Sequence, residues 1–501
     1  MEQQFNQGTA DTAYKMTKRP TGRGVIQTHT GRSKNIMKRT RNRSRMLIMV
    51  VFIAFVFTSP TIQEATIANY AAVKENILMK TAAHHIYPFE STYTIAKSID
   101  VQASSTQGGY SIENFIIPSD VQSFNGSLTQ FTYTDGSAAH PTATIQKINQ
   151  ITMSIDGGEP IDIPLNGVPE RSFEEKITTS NGHEIWWPGH GNGNNFCGVG
   201  VCVKVKTNLG VGESSKIKYS ISLTSNAHSW WDSSRVDSRV EGVEYGINME
   251  NSGTFEDIAS RDPTGDSQQF KGIKWYDRGP STKDPRSLGG WAIDSQHEKV
   301  VEASNIISQN LPEGESQNAY AYARAAFDYL HVSATYDSDA PGSAPLYGEA
   351  RSGAECLEAG TGDCDEQTNA FLALLRVNKI PGWYVFGALA KPNWEWEAHA
   401  WGYIQLPMSE SWCNENNIVL SKCFVQGQVD VVNNKWLLHT PTAFIEWIEQ
   451  PDSSGDLVYS YYHPNLKQSS IARTPPVHET VDEPEFNGGE FKVPKFEEYL
   501  G

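Results

Sequence analysis

The sequence predicts an α+β chain in which an all-β, sandwich-like region precedes a domain of helices and antiparallel strands, with a membrane segment near the amino terminus. Three observations carry this. Short runs of alternating apolar and polar residues fill positions 90–250. An amphipathic helical stretch at 365–377 is followed at once by strand-like runs. A basic block leads into an apolar stretch near the amino terminus. At 501 residues the chain exceeds what one hydrophobic core usually holds, so it divides into domains.

Charge is spread unevenly. The formal net charge is -17, yet positions 1–45 carry 11 Lys and Arg against two acids, and the rest carries 30 against 56 Asp and Glu. Such an acidic body lacks the clustered cations that phosphate contacts require, which argues against a nucleic-acid partner. Positions 46–62 open with MLIMVVFIAFVFT. A basic flank before an apolar core predicts a signal sequence or a membrane anchor. Positions 1–45 then form a cytoplasmic segment or signal n-region, and 63–89 a helical stalk. The body beyond is expected to be extracytoplasmic, either secreted or anchored to the cell membrane.

Within 90–250, the runs 111–117, 127–133, 144–155, 201–207 and 216–223 are separated by clusters of Gly, Asn, Asp and Pro, as in a sandwich. His183 and His190 flank a polar turn with no phosphate-binding glycine pattern, and read as loop histidines. Cys197 and Cys202 are close in sequence, as are Cys413 and Cys423. An exported chain would close both pairs as local disulfides; the alternative is free buried thiols.

Positions 251–290 are polar and turn-rich, a linker or decorated loop. The helix-and-sheet domain occupies 291–450. Helices are expected at 298–309 and 318–329, the second rich in Ala. Asp337 and Asp339 fit no calcium loop and read as solvated. The helix at 365–377 places Thr368, Phe371, Leu372 and Leu375 on one face. Strands follow at 383–389, 398–404, 428–432 and 435–438, with Asn433 and Asn434 as a hairpin turn. The tail, 451–501, is acidic, broken by prolines, and expected to be loosely ordered. No motif demands a metal or another cofactor.

Cys364 opens the helix and His399 begins a strand. A thiol at a helix start meets unsatisfied N–H groups and the positive end of the helix dipole, and an imidazole nearby serves as its base. Asp363 and Asp365 oppose this by raising the thiol pKa. The competing reading is a structural disulfide between Cys356 and Cys364.

The segments GDCDEQTNAFLALLRVNKIPGWYVFG, HAWGYIQLP and NKWLLHTPTAF, in that order, resemble the transglutaminase-like superfamily over about 290–450. The resemblance implies a papain-like Cys-His-Asp site in an exported prokaryotic or archaeal protein, with Cys364 as nucleophile and His399 as base. The third motif departs. The family's aspartate position, directly before proline, holds Thr440; Asp430 on the preceding strand is the alternative third member. Trp383, Trp394, Trp396 and Trp401 surround the motifs in sequence, as cleft walls and an oxyanion donor, or as packing. The implied function is a cysteine hydrolase or acyltransferase acting on peptide or amide bonds, its substrate a protein, peptide or envelope polymer. The alternative is a degenerate surface scaffold, for which Thr440 is the best support.

Overall fold

A computed structural model describes residues 84–123, 134–135, 143–163, 176–186, 202–232, 240, 246–260, 278–280, 291–339, 350–390, 395–448, 470–474 and 476–494. These belong to one compact unit, 81–501. A mixed α+β arrangement results, in which two β layers meet a small group of helices.

Strand β1 (His84–Ala103) is the spine of the first layer. Short strand β2 (Gly109–Ile116) follows, then β3 (Thr144–Ile155), β4 (Cys202–Leu209) and β5 (Ser214–Asn226). The alternation in β5 turns Ile217, Tyr219, Ile221 and Leu223 to one buried face, as a half-buried strand requires. β5 lies between β1 and β3, antiparallel to both. β2 pairs β4 in a separate sheet. Tyr93, Phe115, Ile151, Val205 and Tyr219 join the two sheets in one core.

The helices are α1 (Glu298–Asn310), α2 (Ala319–Ser333), α3 (Gly353–Ala359) and α4 (Cys364–Val377). Asn318 caps α2 by accepting from the Ala321 N–H, and its small Ala side chains allow close packing. The Tyr322 hydroxyl meets Ser304 of α1 at 2.6 Å and the Leu374 carbonyl of α4 at 3.0 Å, tying three helices together. α4 is buried on all sides from Asp365 to Arg376, beyond the single apolar face the sequence predicts. Its polar side chains are matched instead of solvated: Glu366 binds Arg351 at 2.7 Å, and Gln367 donates to the Gly362 carbonyl at 2.8 Å.

Between α2 and α4, the two-residue strands β6 (Thr335–Tyr336) and β7 (Thr361–Gly362) pair in parallel. After α4 the chain builds an antiparallel five-stranded sheet. Its strands are β8 (Gly382–Ala390), β9 (Trp396–Pro407), β10 (Phe424–Asp430), β11 (Lys435–Trp436) and β12 (Ala443–Ile448), in the order β11-β10-β9-β8-β12. Arg376, at the end of α4, donates to the Gly382 carbonyl at 2.6 Å and fixes the helix-to-strand turn. β12 is an edge. Gln146 of β3 covers it, its side chain accepting from the Ile445 N–H and donating to the Ile445 carbonyl, both at 2.8 Å. A disulfide joins Cys413 and Cys423, whose Cα atoms lie 6.1 Å apart.

Three expectations need correction. The membrane segment at 46–62 lies outside the described residues, and among those described no helix is long and apolar enough to cross a membrane. The membrane partner and the extracytoplasmic, anchored or secreted location rested on that segment and are withdrawn with it. Residues 84–89, expected in a helical stalk, are the first turns of β1, because they pair with strands far downstream. The tail is not loosely ordered where it is described. It forms β13 (Ile471–Arg473), β14 (Val477–Thr480) and β15 (Glu485–Pro494), all antiparallel to β1. The first layer therefore does not simply precede the helix-and-sheet domain: the last strands of the chain complete it. Cys197, Trp394 and His190 lie outside the described residues.

Candidate active site

Asp363 caps α4, its side chain accepting from the N–H groups of Asp365 and Glu366. The Cys364 N–H stays outside that cap, among the orphan donors of a helix start. Gly362 is needed immediately before, because a Cβ there would sit 2.8 Å from the Cys356 sulfur. Cys356 and Cys364 are both free thiols, so the alternative disulfide is not formed.

The Ala400 backbone N–H lies near enough to the Cys364 sulfur to pull the thiol pKa down. Ala400 follows His399 on β9, so thiol and imidazole-bearing backbone meet at neighbouring positions. The thiol also points to the Asp365 carboxylate, with Sγ 3.8 Å from Oδ1. Tyr384 of β8 donates to that same oxygen at 2.7 Å and holds it in place. Burial pushes the Cys364 thiol well up; Asp365 and Asp363 push it further, and the Ala400 N–H only partly opposes them. The resting group is a thiol, not a thiolate.

His399 is buried, with Nε2 2.9 Å from Asp430 Oδ2. Its ring stacks on Trp401 at 5.6 Å between centroids. Asp430 ends β10, which runs beside β9 with Val429 opposite Gly402. Burial pushes the Asp430 carboxyl up, but the nearby imidazole, Lys435 and Asn433 outweigh it and hold the group at about 2. Asn433 supplies two bonds to this carboxylate, its backbone N–H to Oδ1 at 3.1 Å and its Nδ2 to Oδ2 at 3.0 Å. An ionised carboxylate accepts, so His399 Nε2 donates to Asp430; Asn433 Nδ2 also lies 3.2 Å from that ring nitrogen.

Of the two candidates for the third position, Asp430 meets the imidazole and Thr440 does not. Thr440 Oγ1 accepts from Lys435 Nζ at 3.1 Å and shares a bond with Thr442 at 3.0 Å. The physical reason is register: Asp430 lies on the strand next to His399, whereas Thr440 comes only after the hairpin has turned back. Trp383, Trp396 and Trp401 do not line the cleft beside His399. Trp401 donates its indole N–H to Gln428 Oε1 at 2.9 Å and so is committed elsewhere. Trp383 packs against Tyr403 in the core, and Trp396 against Tyr93 of β1. Asp365 raises the thiol pKa as expected, whereas the roles of Asn433 and Gln428 were not read from the sequence. The Asn-Asn turn was visible, but nothing local marked it as a carboxylate clamp.

The loop residues behave differently from one another. His183 is buried, accepts from the Asn208 N–H at 3.2 Å and faces Asp156. Asp337 faces Arg351 and Thr361. Among the described residues no group of three or more His, Cys, Asp or Glu side chains could hold a metal ion.

A family model described as the transglutaminase-like superfamily matches residues 307–415, which include Cys364 and His399. This stretch is thus similar to the transglutaminase-like superfamily. Asp430 lies beyond the matched stretch. Among solved structures, a candidate cysteine protease from Cytophaga hutchinsonii is similar at 10% identity, with a TM-score of 0.38, over 82% of this chain and 100% of its own. A candidate protease from Parabacteroides distasonis is similar at 8% identity, with a TM-score of 0.19, over 70% and 67%. Both are bacterial, and neither likeness is close enough to carry an argument about activity. No curated protein matches the chain. The superfamily fold thus stands, while the archaeal and exported qualifiers find no support in these likenesses.

Proposed function

We propose that this protein is a cysteine hydrolase or acyltransferase that cleaves or exchanges peptide or amide bonds through a thioester on Cys364. The observation that supports the reading is the His399–Asp430 pair at 2.9 Å, on a strand whose next residue, Ala400, presents its N–H towards the Cys364 thiol at the start of α4. His399 Nδ1 takes the thiol proton as Sγ attacks the amide carbonyl. The imidazolium is stabilised by Asp430 and returns the proton to the departing amine. Water or a second amine then attacks the thioester, again through His399. The uncapped Cys364 N–H is one donor for the developing oxyanion. Because the resting thiol is neutral, His399 acts as general base in the attack instead of as half of a standing ion pair.

The test is trapping with an activated acetyl ester, read by mass spectrometry of the intact chain and its peptides. Acetylation is expected on Cys364 in the native chain, and not on Cys356, which is also free but buried. His399→Ala should slow it at least about 100-fold, the range of a lost general base. Acetylation of Cys364 at equal rates with and without His399 would refute the reading. A scaffold role, supported at the sequence level by Thr440, loses that support because Asp430 occupies the place.

A further inference from the structure

A cleft of about 810 Å³ opens beside His399. His399, Glu397 and Tyr336 line it. Ile86 and Tyr87 of β1 and Phe486 of β15 contribute a further wall, and Cys364 is not among its lining residues. That wall comes from the first and last described strands, outside the stretch that matches the superfamily. Large apolar side chains are normally withdrawn from water, but Ile86 is 56% exposed, Tyr336 54% and Phe486 49%. Among the described residues, the exposed large hydrophobics include two aromatics, Tyr336 and Phe486, and both line this one cleft.

Chemistry says which half of a substrate goes there. The imidazole hands its proton to the departing amine, so the amine-bearing half must lie on the histidine side of the scissile bond. A space lined by His399 but not by the nucleophile is on that side. We propose that the β1–β15 wall is a binding subsite for a bulky apolar residue on the amine side of the scissile amide, and for an acyl-accepting amine of the same kind. This rests on the function proposed above. The charges in the cleft agree. Glu397 and Glu490 line it, and the lysine that also lines it, Lys435, donates to Thr440 and faces Tyr87 at 5.5 Å, so an acidic side chain gains no ready partner.

The test uses the full chain carrying Cys364→Ala, which binds without turnover. Phenylalaninamide, leucinamide, glycinamide and the α-amide of aspartate are titrated by calorimetry. Phenylalaninamide and leucinamide should bind about tenfold or more tighter than the other two, the range that an apolar pocket supplies. Phe486→Ser and Ile86→Ser, each at an exposed position where folding is not at stake, should each reduce that preference. Equal binding of all four amides, or an undiminished preference in both serine variants, would overturn the subsite. Selective binding by a chain whose Cys364 never acylates would support the subsite and refute the catalytic reading instead.

Discussion

Asp430 is the carboxylate that meets the His399 imidazole, at 2.9 Å. It was legible only as an alternative, because the position before Pro441 pointed to Thr440, and register between strands is not written in any one segment. Cys364 and His399 were legible because their signals are local: a helix start after Gly362 and Asp363, and a strand opening with His-Ala-Trp. Asp430→Asn should lower kcat/KM for an amide substrate by about 10⁴-fold through loss of the correct imidazole tautomer, checked by steady-state kinetics. Thr440→Asp, by contrast, should give no gain, since the imidazole already has its carboxylate. The same group governs acid stability. Its folded pKa, held at about 2, lies below that of an unfolded aspartate near ~3.9, so it stabilises the fold above about pH 4. That contribution, on the order of 2 kcal/mol, disappears as pH falls through about 2. Urea unfolding at pH 6 and pH 2.5 should show Asp430→Asn losing less stability than the native chain over this interval.

At the scale of elements, α2, α4, β8 and β9 were recognisable within a few residues, because helix caps, Ala content and apolar runs are local. The polar face of α4 was not readable as buried; its coverage by Arg351 depends on a loop that sequence periodicity does not see. β12 was missed because its pairing with β8 spans three intervening strands, β9, β10 and β11. That pairing is tight. A Cβ on Gly387 would overlap the Phe444 carbonyl. Gly387→Ala should therefore force the strands apart and destabilise the protein by about 3 kcal/mol or more, seen as a lower thermal midpoint or as insoluble chain. The Cys413–Cys423 bond closes a short loop, separated by 10 positions. Its reduction should lower stability by about 2–3 kcal/mol in denaturant titration, without changing the acylation of Cys364.

Across the whole molecule, a buried set of ionisable side chains binds the last strands to both β layers. Arg473 of β13 meets Glu113 of β2 at 2.9 Å; Lys97 of β1 meets Glu446 of β12 at 3.3 Å, and His478 of β14 meets the same Glu446 at 3.5 Å. All five side chains are buried. Arg473→Met alone leaves a carboxylate in the core and should destabilise by about 3–5 kcal/mol. Arg473→Met with Glu113→Leu should recover most of that loss in chemical unfolding, because the stranded charge is gone. None of this was visible in the sequence. The tail's prolines, glycines and acids look unstructured when the partner strand lies some four hundred positions away.

That distance has a consequence for synthesis. β1 emerges early from the ribosome, and its partner β15 among the last described residues, with His84 opposite Pro494. Through most of translation the edge of β1 that β15 will occupy stays unpaired and open to other chains. Cys364 and His399 are both made well before β15. A chain halted between His399 and Glu485 would carry the nucleophile and its base without the Phe486 side of the cleft. The Phe486 side of the cleft is thus completed only after both Cys364 and His399 have been made.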